Sequence, residues 1–256
     1  MPGIVVEIDG AVGTLIIDNP TRRNAMTADM YEAVPAATAE AMSDPHVRAV
    51  VLRGAGDEAF GAGSDISEFP TRRLGDQAAA YDAAEHAAWQ ALAAIPVPVI
   101  AAIHGPCMGG GIAMALHCDV RIAADDATFA VPPARLGLGY PPDALRRLVD
   151  LVGAAQAKLL LYTARVFGAD EALAMGLVQE VVPKGELDTH VAALTVQIGR
   201  LAPLSHRATK LSVDAIHDPT LTEVAADARR DCYNSADFRE GVQAFLDKRH
   251  ATFEGR

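Results

Sequence analysis

The chain has 256 residues, 50% hydrophobic and 21% charged, with a formal net charge of −11. That length buries a sizeable core, and the composition is that of an ordinary globular protein. The acidic balance argues against a nucleic-acid binder, which needs basic stripes facing phosphates. It leaves room for a phosphorylated small ligand met by local arginines such as Arg22, Arg23, Arg72 and Arg73.

The three cysteines, Cys107, Cys118 and Cys232, cannot all pair and show no CxxC spacing. Free thiols in a reducing compartment are expected, with Cys107 and Cys118 as buried filler in apolar stretches. The first residues, MPGIVVEIDG, hold no basic region followed by a long apolar run, so no signal peptide is expected. The most apolar stretch, residues 95–103, is short and contains Pro96 and Pro98, which excludes a membrane span. A cytoplasmic location is the expectation.

In chain order, residues 4–8 and 12–17 read as two strands around the hairpin signal Asp9-Gly10. After a polar loop, Thr27 is placed to cap a helix running to about Met42, with Pro35 inside it. Residues 47–53 form a buried strand, residues 54–63 a glycine-rich loop, and residues 75–94 a long Ala-rich helix. A strand at 97–103 leads to a second glycine-rich segment, 105–111, and a short apolar helix at 112–117. Short strands follow at 120–123 and 128–130, and a last one at 177–182 within a mostly helical stretch. Strands alternating with helices indicate an α/β layered domain. Beyond Gly185 only helical patterns remain, at 186–201, 206–216, 221–233 and 236–248. The expected division is a core over residues 1–195 and a helical region over 196–256.

The chemistry is expected where strand passes through glycines into helix: Phe60-Gly61-Ala62-Gly63-Ser64-Asp65-Ile66 and Gly105-Pro106-Cys107-Met108-Gly109-Gly110-Gly111. Glycines let a ligand approach the main chain, and a helix N-terminus offers unpaired N–H groups. Two such amides converging on one point would hold a developing oxyanion. A nucleotide P-loop is excluded because no Gly-Lys-Ser/Thr follows, and no GxGxxG is formed.

FGAGSDI followed by HGPCMGGG resembles the paired oxyanion-hole signatures of the crotonase (enoyl-CoA hydratase/isomerase) superfamily. DNPTRRNAM is similar to that family's CoA-contacting loop, and CDVRIAADDATFAVPPARLGL to the segment after the second signature. EALAMGLVQEVVP and EGVQAFLDKRHATFEGR resemble its late helix–strand unit and C-terminal helix, so nearly the whole chain is covered. The resemblance implies an α/β fold, a ClpP-like spiral of ββα units with a helical C-terminal trimerisation region. It also implies a homotrimer or dimer of trimers. No tightly bound cofactor is implied, coenzyme A entering as part of the substrate, and neither a metal, a nucleic acid nor a membrane partner is expected.

By position, the oxyanion donors fall on the backbone N–H groups of Ser64 and Gly110. Arg23, Ala25, Ala62, Asp65 and Ile66 would lie along the CoA, and Phe245 and Lys248 match positions that reach a neighbouring subunit's CoA. The family's hydratases handle water with two glutamates, which here fall on Ala113 and Pro133. A glycine amide that helps to hold the water falls on Pro141, which has no N–H. These departures disfavour hydration by the usual route. A hole with few ionisable groups nearby suits decarboxylation of a malonyl-type thioester, and the pattern is closest to methylmalonyl-CoA decarboxylase, which has a histidine at the position of Ser64.

Tyr140 is the candidate for orienting the carboxylate or protonating the enolate. Asp143 is expected to cap a helix, with acid/base work as the alternative, and Glu68 is a further suspect. His104 and His117 are expected to be structural, and Ser64 has no base beside it in sequence. Relocated acid/base residues in a hydratase, isomerase or hydrolase form the second reading, and a non-catalytic acyl-CoA-binding protein the third.

Overall fold

The computed structural model describes residues 1–256. The chain begins with the hairpin β1 (Gly3–Asp9) and β2 (Val12–Asp18), then α1 (Ala28–Ala41), β3 (Ala49–Gly54), α2 (Phe69–Arg72) and α3 (Ala78–Ala93). It continues through β4 (Val99–Ile103), β5 (Pro106–Met108), α4 (Gly110–Leu116), β6 (Val120–Ala124), β7 (Thr128–Ala130), α5 (Pro142–Val152) and α6 (Ala154–Thr163). Next come β8 (Phe167–Gly168), α7 (Ala169–Ala174), β9 (Glu180–Val182), α8 (Leu187–Gly199), α9 (Pro203–His217), α10 (Thr222–Asn234) and α11 (Ala236–Leu246).

A six-stranded sheet has the order β1-β2-β3-β4-β6-β9, and a second sheet has the order β5-β7-β8. Only the β1–β2 pair of the large sheet is antiparallel. Its central strands are apolar on both faces, as parallel strands covered from both sides must be. Val50, Leu52, Ala101 and Ile103 turn toward the main core with α1, α3 and α4, while Val51, Ile100 and Ala102 meet Leu187 and Val191 of α8. Burying each large aliphatic side chain there stabilises the fold by roughly 1.5–3 kcal/mol.

Thr27 caps α1 as expected, its side chain accepting from the Met30 N–H, and Pro35 lies inside that helix. The second glycine segment departs from expectation. Pro106–Met108 is a strand, not a loop, because its backbone pairs with β7 on one side and with Gly61 on the other. The expected boundary at residue 195 falls inside α8, whose Leu194 and Ile198 still pack on the sheet. The chain leaves the sheet only after Gly199. Beyond it, α9 and α11 leave Val213, Ile216, Val242, Phe245 and Leu246 exposed. No helix is long and apolar enough to cross a membrane.

Candidate active site

Three segments are laced together by main-chain hydrogen bonds. Ala62 N donates to Arg23 O (2.9 Å), Met26 N to Gly63 O (2.8 Å) and Asp65 N to Met26 O (2.7 Å). On the other side Gly61 N donates to Pro106 O (3.0 Å) and Met108 N to Gly61 O (2.8 Å). The DNPTRRNAM loop is clamped by its own asparagines. Asn24 Nδ2 donates to Ala55 O (3.0 Å) and Ala59 O (2.7 Å), and Asn19 Nδ2 donates to Ala25 O (2.8 Å).

The Met26–Ser64 bridge uses Gly63 O and Asp65 N, so the Ser64 N–H is left out of it. Gly110 opens α4, where the first N–H groups have no intrahelical acceptor. A Cβ placed on Gly110 would lie 2.3 Å from Tyr31 OH, 3.0 Å from Ser64 Oγ and 3.2 Å from Ser64 N. Only glycine permits this approach. Gly109 supports it by turning the chain into α4 at φ 47°, a region open to glycine and costly for other residues. Two free amides thus sit side by side at the mouth of a narrow cavity of about 100 Å³.

Ala113, Pro133 and Pro141, the positions where the resemblance would place acid, base and water-holding groups, all line this cavity. None offers a titratable group. Tyr140 also lines it, and its OH donates to Gly109 O (3.2 Å), one residue before the Gly110 amide. Burial pushes the Tyr140 phenol up from its ordinary value.

The expectation of few ionisable groups beside the hole is corrected by the structure. Glu85 and Arg73 line the cavity too. The Ser64 hydroxyl donates to Glu85 Oε1 (3.0 Å), and Tyr31 OH shares a hydrogen bond with Ser64 Oγ (3.0 Å). Arg73 clamps the same carboxylate, Nη2 to Oε2 at 2.8 Å and Nη1 to Oε1 at 3.2 Å. Its guanidinium lies over the rings of Tyr81 (4.5 Å) and Phe69 (5.1 Å). Burial raises the Glu85 carboxyl above the ordinary glutamate value, opposed by Arg73 and by the Ser64 hydrogen bond. Ser64 therefore has a carboxylate partner, contrary to the expectation from adjacent sequence. A signal existed in the sequence: Tyr81, Glu85, Ala88, Trp89 and Leu92 share the buried stripe of α3, so a glutamate stands on an otherwise largely apolar face.

The other candidates are placed as follows. Asp143 does not cap α5, whose N-cap is Pro141. Its carboxylate instead faces His117 Nε2 (3.2 Å) and accepts from Gln90 Nε2 (2.8 Å). That His117 bond first of all holds the Asp143 carboxyl well below the usual range. It is not among the residues lining the cavity. His117 is further fixed by Nδ1 against Ala113 O (2.7 Å) and by stacking on Trp89. His104 is buried with its Nε2 unpaired. Glu68 Oε2 accepts from the Ala28 N–H (2.8 Å) and so holds the start of α1.

Of the expected CoA contacts, Arg23, Ala25, Ala62, Asp65 and Ile66 cluster around the laced segments. Arg23 carries a left-handed φ of 51°, and Ile66 is exposed. Asp65 Oδ1 accepts from Ser67 N and Ser67 Oγ and lies 3.7 Å from Arg22. Phe245 and Lys248 are not brought to this cavity within one chain. Phe245 borders a separate apolar groove with Leu246 and Phe253, and Lys248 follows the end of α11. Cys107 and Cys118 are buried, and burial raises both thiols. No group of three or more His, Cys, Asp or Glu side chains is placed to hold a metal ion. The largest groove, about 830 Å³, crosses the outer face of β1–β3 beside α8 and contains none of these residues.

The sequence matches the family model described as enoyl-CoA hydratase/isomerase over residues 7–256. It is 36% identical over 256 residues to the crotonyl-CoA hydratase of Syntrophomonas wolfei subsp. wolfei, covering 98% of this chain and 97% of that protein. It is 33% identical over 252 residues to the short-chain-enoyl-CoA hydratase of Clostridium acetobutylicum, covering 96% and 95%. Among solved structures it superposes on an enoyl-CoA hydratase/carnithine racemase from Magnetospirillum magneticum with TM-score 0.94 at 36% identity, covering 100% of this chain and 97% of that one. These relatives carry hydratase names. They support the wider family and not the specific likeness to methylmalonyl-CoA decarboxylase.

Proposed function

Because the chain belongs to the enoyl-CoA hydratase/isomerase family, we propose that it acts on acyl-CoA thioesters, holding the oxygen of a thioester enolate between the N–H groups of Ser64 and Gly110. The observation that carries this is the side-by-side placement of those two amides, with Ser64 N 3.2 Å from the Cβ position of Gly110. Preorganised donors aimed at developing negative charge are the largest single contribution in many enzymes. The names of the relatives support a hydratase- or isomerase-type reaction. Since Ala113, Pro133 and Pro141 carry no acid or base, the proton must be handled by a group elsewhere in the cavity.

A second reading, decarboxylation of a malonyl- or methylmalonyl-type CoA ester, is favoured by those same three residues. Loss of CO2 generates the enolate without a base, and the apolar wall formed by Trp89, Leu136 and Leu138 disfavours a carboxylate. The exposed apolar side chains of α9 and α11 are compatible with a subunit interface, and the resemblance implies a homotrimer or dimer of trimers in which Phe245 and Lys248 would meet a neighbour's CoA.

The test is incubation with crotonyl-CoA, 3-enoyl-CoA, malonyl-CoA and methylmalonyl-CoA, read by mass spectrometry. Addition of water to crotonyl-CoA or movement of the double bond is the expected result. Release of CO2 from the malonyl-type esters would favour the second reading instead. Tight binding with no product from any ester would leave a non-catalytic acyl-CoA-binding protein.

A further inference from the structure

Glu85 is the only carboxylate among the residues lining the cavity. It stands on α3, whereas the two acid/base positions that the family resemblance suggests are Ala113, on α4, and Pro133, after β7. The two helices pack together, and both residues face the same space. At position 113 this chain offers only a methyl group to the cavity. Glu85 is joined to the hole itself by one side chain, since the residue whose N–H borders the hole also donates its hydroxyl to Oε1.

We propose that Glu85 is the acid/base residue of this site, a carboxylate relocated from α4 to α3 and aimed by the Ser64 hydroxyl and the Arg73 guanidinium. This rests on the enolate reading of the Ser64 and Gly110 amides. The step is a proton transfer without any co-reactant. The ionised Glu85 carboxylate takes a proton from the α-carbon of the acyl group, and the C–H electron pair passes into the enolate, whose oxygen rests on the two amides. The neutral Glu85 carboxyl then returns a proton to carbon. Ser64 and Arg73 are positioning residues. Arg73 keeps the carboxylate ionised and fixes its plane through two N–H bonds.

The Glu85–Arg73 pair lies in the cavity wall and bonds the residue that supplies one of the two amides. Burial raises the Glu85 carboxyl above the ordinary glutamate value, and Arg73 and Ser64 oppose that rise. The groups facing it are Arg73 from the segment after α2, Asp82 from α3, Ser64 from the first glycine loop and Tyr31 from α1. Tyr81, on the same helix, stays a neutral phenol with its pKa pushed up to about 12.

The test uses the intact protein with acetyl-CoA and butyryl-CoA in D2O, with α-deuterium incorporation read by mass spectrometry and ester binding read by calorimetry. Wild type is expected to exchange the α-protons of at least one ester. Glu85→Gln is expected to lose about 100-fold or more of that rate with binding little changed, and Glu85→Asp to recover part of it. Ser64→Ala keeps the amide and the Glu85–Arg73 pair, so it guards against a variant that fails to fold. Removing its hydrogen bond to the ionised carboxylate must move the acid limb of the rate profile to higher pH. A wild-type protein that binds the esters and exchanges nothing would overturn the enolate reading and this proposal with it. Active wild type with Glu85→Gln equally active, or Ser64→Ala with an unshifted profile, would overturn the role of Glu85 alone.

Discussion

Glu85 and Asp143 are two carboxylates close to the same helix, α4, and they sit in opposite environments. Glu85 lines the cavity, and burial pushes its carboxyl up. Asp143 lies behind α4, bonded to His117 and Gln90, and its carboxyl is held far down. A hydrogen-bonded partner favours the ionised form of Asp143, whereas burial disfavours the ionised form of Glu85. The pair teaches that distance along the chain is a poor guide to which carboxylate lines the cavity. Asp143 follows the cavity-lining Pro141 closely in sequence, yet it is Glu85, far upstream, that lines the cavity and bonds the Ser64 hydroxyl.

The comparison has meaning only if the hole is real, so the harshest way to break it is Gly110→Ala. The new Cβ would overlap Tyr31 OH at 2.3 Å and crowd Ser64 N at 3.2 Å. Turnover of any acyl-CoA substrate should fall by about 100-fold or more, the scale seen when one oxyanion donor is lost. A folded Gly110→Ala protein with near-normal turnover would remove the hole from the account.

Glu85→Gln and Asp143→Asn then set the two carboxylates against each other. Steady-state turnover should drop about 100-fold for the first and less than about 3-fold for the second. Equal losses in kcat would erase the distinction between them.

Thermal melts against pH sharpen the contrast further. Asp143 has a folded pKa below its unfolded value of 3.8, so its stabilising contribution is present above that pH and lost as pH falls through the folded value. Asp143→Asn should therefore lower Tm near pH 7 by about 3 °C, from roughly 1 kcal/mol of lost hydrogen bonding, and the gap should begin to narrow only as pH falls below 3.8. Glu85 has a folded pKa above 4.5, so its contribution is fullest below that pH and lost as pH rises through the folded value. Relative to wild type, Glu85→Gln should therefore gain stability as pH rises from 4 to 7. Parallel pH slopes for the two variants would contradict the assigned environments.

The smallest effect is expected for Tyr140→Phe, which removes one hydrogen bond to Gly109 O but leaves the ring in the cavity wall. A loss in kcat below about 10-fold, corresponding to roughly 1 kcal/mol, is anticipated. A loss as large as that of Glu85→Gln would move the proton donor to Tyr140.

Much of the architecture was legible from local signals. The Asp9-Gly10 hairpin, the Thr27 cap and the four late helices depend on neighbours in sequence and stand where the pattern places them. The two glycine segments stood out as a candidate site only as a pair, through the family resemblance, since either one alone reads as a tight turn. The short strand β5 was not legible, since Pro106–Met108 is extended only because Gly61 and β7 supply distant partners. The same reason hid Glu85. Its bonds to Ser64 and Arg73 span 21 and 12 residues and exist only once α3 has packed beneath the first glycine loop. Asp143 was expected as a helix cap because it follows Pro141-Pro142, but its distant partners His117 and Gln90 hold its carboxylate instead.

The central claim is most directly tested by a crystal structure of the protein with a slowly processed acyl-CoA bound. The thioester oxygen is predicted to lie about 3 Å from both the Ser64 and the Gly110 nitrogen, with the acyl α-carbon on the Glu85 side. A thioester oxygen bound away from that pair, with either amide taken up by a protein acceptor, would contradict the account.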